Sequence, residues 1–363
     1  MTKQAFFAPS VNPFSTITGR LTDPLLVVLP QRVRRPETQV GFGFQNQLAF
    51  DKDSDHSLVF FDFASEELLY SAVLSQAYHG GKLGSDPFMK AMLTGSKEDG
   101  TDVYSLVAKS IGIKRNQSKG AVLGSLYGMG KKSYITTLLQ SIDSPKERER
   151  VRPIAGDAFT AFKGSKDRMT GKLTGGIASN FFNYVNRNIN SDLPKFGPFG
   201  LDYPKSLNKA YWKSRRTTSA INYAVQSSCA LGGMLSTYIS LASAEFKSET
   251  LSETQVRYAG SIHDCIIFIV KDDCINQVAK CLIRSYVSVW AHVFDYFSLG
   301  SLPQRIITDI VLDVSKELRK DAFATIKTPE YSTDKTGFQL FVSPETGKLH
   351  KRNSEADQAG FAV

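Results

Sequence analysis

Over residues 57–63 the apolar positions do not alternate with polar ones: Leu58-Val-Phe-Phe61 runs without interruption and Asp62 ends it. A short unbroken apolar run of this kind predicts a buried strand. From Ser65 to about Gln76 the pattern becomes helical, with Ser65 placed to cap it. Gly80-Gly81, Gly84 and Asp86-Pro87 interrupt it. Further helices are predicted from about Asp102 to Ile111, from Arg115 to Tyr127 or Gly128, from about Thr217 to Ala244, and over 275–298. Two β-type runs, strands near 256–262 and 265–270, flank His263-Asp264 and predict a hairpin. Between 131 and 190 apolar and charged residues alternate, and the run Lys146-Glu-Arg-Glu-Arg-Val-Arg152 reads as a solvated helical face. Residues 1–20 are irregular, 192–211 form a Pro/Gly-rich loop, and the polar tail beyond about Ser343 reads as frayed or docked loop.

The chain has 363 residues, 42% of them hydrophobic, enough for a sizeable core in two or three domains or in interleaved subdomains. A formal charge of +9 suits an anionic partner such as nucleic acid. The four cysteines, Cys229, Cys265, Cys274 and Cys281, show no CxxC spacing and so argue against a zinc site and for a reducing compartment. No stretch approaches about 18 consecutive apolar residues, so no transmembrane helix and no membrane partner are expected. The N-terminus has neither a secretory apolar region nor an Arg-rich leader.

Three segments carry charge in a way that suits phosphoryl transfer. In the first, Asp62-Phe-Ala-Ser-Glu-Glu67, a carboxylate stands where a strand ends and a helix begins. In the second, Arg115, Lys119, Leu123 and Tyr127 recur every four residues, which drifts only about 40° per step on a helix, so all four share one slowly turning face. That stripe reads as a surface helix with a packed tyrosine, or as a clamp on the triphosphate of an incoming nucleotide, with Leu123 and Tyr127 under its sugar and base. In the third, Ser261-Ile-His263-Asp264-Cys265, an aspartate occupies a tight hairpin turn, where it is commonly only a turn former. Brought together, Asp62 and Asp264 could hold two Mg2+ ions, hard cations that select oxygen ligands. The order and separation of the three segments point to a nucleotide polymerase.

These segments resemble motifs A, B and C of the family A DNA polymerases, in the family's order. Phe14-Ser-Thr-Ile-Thr-Gly-Arg20-Leu is similar to its T-x-T-G-R-L element, and Gly100-Thr-Asp-Val-Tyr104-Ser to the segment before its fingers helix. Ala220-Ile-Asn222-Tyr-Ala-Val-Gln226-Ser-Ser resembles the helix that carries its Asn and Gln. Within the family the mitochondrial polymerase gamma branch is the most similar in flavour, through Val225-Gln226-Ser-Ser, Ser261-Ile-His263-Asp264, Leu302-Pro303-Gln304, Leu318-Arg319-Lys320 and Lys327-Thr-Pro329. The sequence departs from the family at Cys265 (usually Glu), Leu123 (usually aromatic), Tyr104 (often His) and Thr218 (Arg in some members).

The resemblance implies an α+β fold of right-hand architecture, an antiparallel palm sheet with inserted helical fingers, and neither an exonuclease domain nor a full thumb. The N-terminal palm would occupy 1–70, the fingers 71–213 with the motif B helix at about 115–128, and the C-terminal palm and tail 214–363. Asp62 and Asp264 would ligate two catalytic Mg2+ ions, with the Phe63 backbone carbonyl as a further ligand. Arg115, Lys119, Leu123, Tyr127, Glu67 and Tyr104 would surround the nucleotide, with Tyr127 and Glu67 acting together as a gate against the ribose 2′-hydroxyl. Arg20, Asn222, Gln226 and His263 would contact primer-template DNA. The expected activity is extension of a primer 3′-OH with dNTPs, with a second polypeptide supplying the thumb or proofreading exonuclease. A catalytically weak primer-template-binding subunit and a single-subunit RNA polymerase relative are the alternatives, Glu67 arguing against the latter. The expected location is a bacterial host cytoplasm, for a phage-encoded enzyme, or else the mitochondrial matrix.

Overall fold

The computed structural model describes residues 55–63, 65–189, 196–199, 221–229, 234–262, 265–303, 306, 311–315, 337–342, 349–352 and 361–362. They belong to two compact units. The first takes in Met1–Ala64, Ala230–Trp290 and Leu302–Val363, the second Ser65–Cys229 and Ala291–Ser301.

The first unit is built on an antiparallel sheet of seven strands: β1 (His56–Asp62), β4 (Val256–Ile262), β5 (Cys265–Lys271), β6 (Val311–Ser315), β7 (Gly337–Val342), β8 (Leu349–Arg352) and β9 (Phe361–Ala362). Their order across the sheet is β4-β5-β1-β6-β7-β8-β9. The apolar run around Leu58 is thus an interior strand, paired on both sides, which is why it lacks the alternation of a half-exposed strand. Successive side chains go to opposite faces. On one face Leu58 and Phe60 pack with Cys265 and Ile267. On the other, Phe61 stacks on Tyr238 of the helix Met234–Ser248 (centroids 4.8 Å) and meets Tyr286 of the helix Ile275–Tyr296 (5.4 Å). Phe63, just past the strand, touches the same two tyrosines at 5.1 and 5.0 Å. Rings of this size stabilise by roughly 1.5–3 kcal/mol each when buried, so the end of β1 is firmly anchored.

The second unit is helical: α1 (Glu66–His79), α2 (Pro87–Thr94), α3 (Val103–Lys109), α4 (Arg115–Leu126), α5 (Lys131–Gln140), α6 (Pro145–Val151), α7 (Ala155–Lys163) and α8 (Ser179–Ile189), with a two-stranded hairpin of β2 (Ser165–Lys166) and β3 (Leu173–Thr174). Helix α1 is buried along Leu68–Gln76, as a helix in the middle of a bundle must be. Several of its polar residues bond within the unit. Tyr70 donates to the Phe196 carbonyl at 2.8 Å, and Gln76 bonds the backbone of Gly80 and Gly84.

Several expectations are corrected. Ser65 occupies the N-cap position of α1 but makes no capping hydrogen bond, because it adopts a left-handed conformation (φ 55°). The basic run at 145–152 is only partly a solvated face. Arg148 donates to the Ile142 and Asp143 carbonyls and Arg150 to those of Ile111 and Gly112, satisfying carbonyls of the connections that follow α5 and α3. The tail beyond Ser343 contributes β8 and β9 to the sheet. Residues 221–229 and Met234–Ser248 are helical, the second past the expected end at Ala244. Among the described residues no helix is long and apolar enough to cross a membrane.

Candidate active site

In the first unit the ladder itself places the motif A and motif C positions. Ile262 at the end of β4 pairs with Cys265 at the start of β5, so only positions 263 and 264 connect the strands. Across β5, Asp62 pairs with Cys265. Paired antiparallel residues stand about 4.5–5.5 Å apart, so the backbone sets position 62 beside the residue that follows Asp264. The side chain of Asp62 and the residues His263 and Asp264 lie outside the described residues, as does Arg20. Cys265 is buried at 1% exposure and packs in the apolar face with Leu58 and Phe60. A thiol so placed offers nothing to a hard cation. Among the described residues no three His, Cys, Asp or Glu gather to hold a metal. The groups expected to act as ligands at this sheet end, Asp62, Asp264 and the Phe63 carbonyl, would all offer oxygen, the donor type that suits Mg2+.

In the second unit, α4 is stopped where its sequence predicts. Tyr127 is its C-cap and Gly128 follows in the left-handed region (φ 83°), with Met129 N–H bonded to the Gly124 carbonyl at 2.9 Å. This is the glycine-dependent helix stop, and it fixes Tyr127 at the mouth of the helix. Helix α4 is joined to α3 by the Ser118 hydroxyl, which donates to the Tyr104 carbonyl at 2.8 Å.

Around this pair of helices the predicted nucleotide residues form one cluster. Arg115 donates through Nε (2.8 Å) and Nη2 (2.6 Å) to Asp102 Oδ2 and lies over the Tyr104 ring, 5.0 Å from its centroid. Burial, which alone would raise the Asp102 pKa, is outweighed by hydrogen bonds from Arg115 and Ser105, so the carboxyl sits below the usual range. Burial raises the Tyr104 pKa, with the positive charge of Arg115 opposing it and the negative charges of Asp102 and Glu67 adding to it. Burial, then the charge of Glu67, likewise pushes Tyr127 up. Glu67 thus stands in electrostatic reach of both tyrosines, and Gln226 is a further polar neighbour of Tyr127. The Tyr127 hydroxyl is buried between these two neighbours and makes no close hydrogen bond among the described residues. One turn from Gln226, the Asn222 side-chain oxygen is also buried and meets no donor among the described residues. Such orphaned groups cost about 1–3 kcal/mol each and are retained where a ligand supplies the missing partner. Lys119 is exposed and Leu123 half-buried on the same stripe.

Asp102 is the residue that sequence reasoning misses. Its residue type and position mark only the start of a helix, and it does cap α3 through Ser105 N–H at 3.0 Å. Its second role, holding Arg115 across 13 positions, has no local signature.

No protein-family profile matches the chain. Individual relatives do. It is 26% identical over 330 residues to DNA polymerase gamma of Komagataella pastoris, covering 89% of this chain and 31% of that protein. It is 25% identical over 367 residues to that of Saccharomyces cerevisiae, covering 97% and 28%. With DNA polymerase subunit gamma-1 of Gallus gallus it shares 24% identity over 378 residues, covering 90% and 56%. The chain therefore spans less than a third of the two yeast relatives. Among solved structures it superposes on the POL domain of Pol1 from M. smegmatis, in complex with DNA primer-template and dNTP, at a TM-score of 0.55 and 14% identity. That match takes in 85% of this chain and 47% of the other, and it supports the mixed α+β fold. Along nearly all of its length, this chain is distantly homologous to DNA polymerase gamma.

Proposed function

We propose that the chain carries the polymerising centre of a DNA-templated DNA polymerase, which extends a primer 3′-OH with dNTPs. The observation that carries this reading is the antiparallel register that pairs Asp62 with Cys265, the residue that follows Asp264 in the sequence. Two carboxylates at one sheet end would hold two Mg2+ ions, which supply a more acidic 3′-hydroxyl and a stabilised leaving pyrophosphate. The remaining chemistry belongs to the chain. Arg115 and Lys119 neutralise the triphosphate, whose charge grows on the leaving side as the bond to the α-phosphate breaks. Arg115 is preset for this by Asp102 and by the Tyr104 ring, and a bound triphosphate competes with the Asp102 carboxylate for its guanidinium. Glu67 beside Tyr127 crowds a ribose 2′-hydroxyl, so deoxynucleotides are preferred. Asn222 and Gln226 face the primer-template, with the unpaired Asn222 oxygen as acceptor for a base donor.

The test is primer extension on a DNA template with Mg2+, offering dNTPs or rNTPs to the wild type and to Asp264→Asn. Extension by the wild type with dNTPs alone, lost in the variant, is the expected result. Binding of primer-template without extension, even when lysate from the source is added, would overturn it. Extension that appears only with the lysate would instead support a second polypeptide.

A further inference from the structure

The region 163–189 of the second unit carries five basic residues and one acidic residue. Two of these six are already committed. Lys163 is half-buried over the rings of Phe182 (4.8 Å) and Phe159 (5.5 Å). The Asp167 carboxylate closes the hairpin turn by accepting from Met169 N–H, Thr170 N–H and the Thr170 hydroxyl at 3.1, 2.7 and 2.8 Å. The other four, Lys166, Arg168, Lys172 and Arg187, are exposed and pair with no carboxylate among the described residues. Between the hairpin and α8 lies an open cavity of about 500 Å3, bordered by Lys172, Arg187, Tyr78, Asn183 and Asn186. The Arg187 guanidinium lies over the Tyr78 ring at 5.5 Å, which orders its plane. Asn183 locks the hairpin to α8 by bonding both backbone groups of Leu173, at 2.9 and 2.8 Å. Met169, at the hairpin tip, is 96% exposed.

We propose that this cavity and hairpin bind the phosphodiester backbone of single-stranded nucleic acid, the hairpin cations and Arg187 taking phosphates and Met169 lying against a base. The proposal builds on the polymerase reading and adds to it a strand-binding site remote in sequence from both aspartates. Cations without carboxylate partners among the described residues, carried on a hairpin fixed to α8 beside an opening lined with side-chain amides, match the acceptor-rich backbone of a strand. An open recess admits a flexible single strand, whereas a duplex is stiff and convex. An exposed thioether among cations is disfavoured as plain surface but suits contact with a base face.

The experiment is fluorescence anisotropy of a short labelled DNA single strand with the full chain, without dNTP or Mg2+, over a series of salt concentrations. Lys172→Ala/Arg187→Ala should weaken binding by about tenfold and make the slope of log K against log salt shallower by about 1.4, roughly 0.7 for each phosphate no longer neutralised. Lys166→Ala/Arg168→Ala should act in the same direction. The control Lys146→Ala/Arg152→Ala removes equal charge from the α6 region and should leave both quantities near wild type. Unchanged binding in both hairpin-side variants, an equal loss in the control, or displacement of the strand by free dATP at concentrations below those of competing strand would each overturn the proposal. Circular dichroism melting reports whether each variant is folded. The readout needs no catalysis. A chain that binds the strand normally but never extends a primer refutes the polymerase reading alone, and an active chain with unchanged variant binding refutes this site alone.

Discussion

The end of the sheet and the α3–α4 cluster place charge by opposite means. Position 62 is set by backbone ladders within the interior strand β1 and by rings packed behind it at Phe61 and Phe63. Arg115 is set by side chains: a carboxylate on one edge and a tyrosine ring beneath. A frame made of backbone survives loss of the group it presents. A frame made of side chains is changed by the loss of any member. The sheet end is accordingly suited to holding ions at fixed separation, and the cluster to letting go of one anion and taking up another.

The comparison is broken most severely at the sheet end. Asp264→Asn, and Asp62→Asn equally, should lower the rate of primer extension by about 10³-fold or more while the melting temperature stays near wild type, as the register does not depend on these carboxylates. A large drop in melting temperature would show that the frame is not backbone-made. Next comes Arg115→Ala, for which a loss of about 10²-fold in kcat/KM for dNTP is expected. Arg115→Lys should recover little of it, because an ammonium cannot lie flat on Tyr104 while bonding Asp102 through two nitrogens. Steady-state kinetics decide, and full rescue by lysine would reduce the site to simple charge.

Asp102→Ala removes a cap and an ion-pair partner together, and should cost about 1–2 kcal/mol of stability, measurable by denaturant titration. The pH dependence gives the sign. The folded-state pKa of Asp102 is lowered, so its contribution is fully present above the ordinary carboxylate pKa of about 4 and is lost as pH falls through the lower folded value. The gap between wild type and variant should therefore close in acid. A gap that widened there would mean the carboxyl is not held ionised. The smallest effect is expected at Tyr127→Phe, which deletes a buried hydroxyl that makes no close hydrogen bond among the described residues, with Glu67 and Gln226 as its polar neighbours. Stability should hold or rise by up to about 1 kcal/mol, and a clear loss by thermal melting would reveal a partner for that hydroxyl.

Much of the frame is legible in the sequence, for a physical reason. Strands 57–63, 256–262 and 265–270 are read from runs of apolar residues and a two-residue gap, and the structure gives His56–Asp62, Val256–Ile262 and Cys265–Lys271. The stripe Arg115, Lys119, Leu123, Tyr127 and its glycine stop are equally local, and α4 runs from Arg115 to Leu126. Strands β6 to β9 are not legible in the same way. Each is short, and they join the sheet only through β6, whose partner β1 lies far back along the chain. Ser65 looks like a cap in sequence because its residue type favours one, yet its backbone is left-handed and its hydroxyl caps nothing.

The sequence by itself determined which residues form the central strands and most of the helices, where α4 stops, and that two aspartates, two cations and a tyrosine occur in the order of a family A polymerase. Periodicity, glycine and residue type act over a few positions and can be read there. Only the tertiary structure decided that Asp102 holds Arg115, that Glu67 stands in reach of both Tyr104 and Tyr127, that Arg148 and Arg150 serve carbonyls of the connections after α5 and α3, and that Asp62 pairs with Cys265. Each of these joins residues separated along the chain, and what joins them is packing and pairing geometry, which leaves no mark on the local pattern.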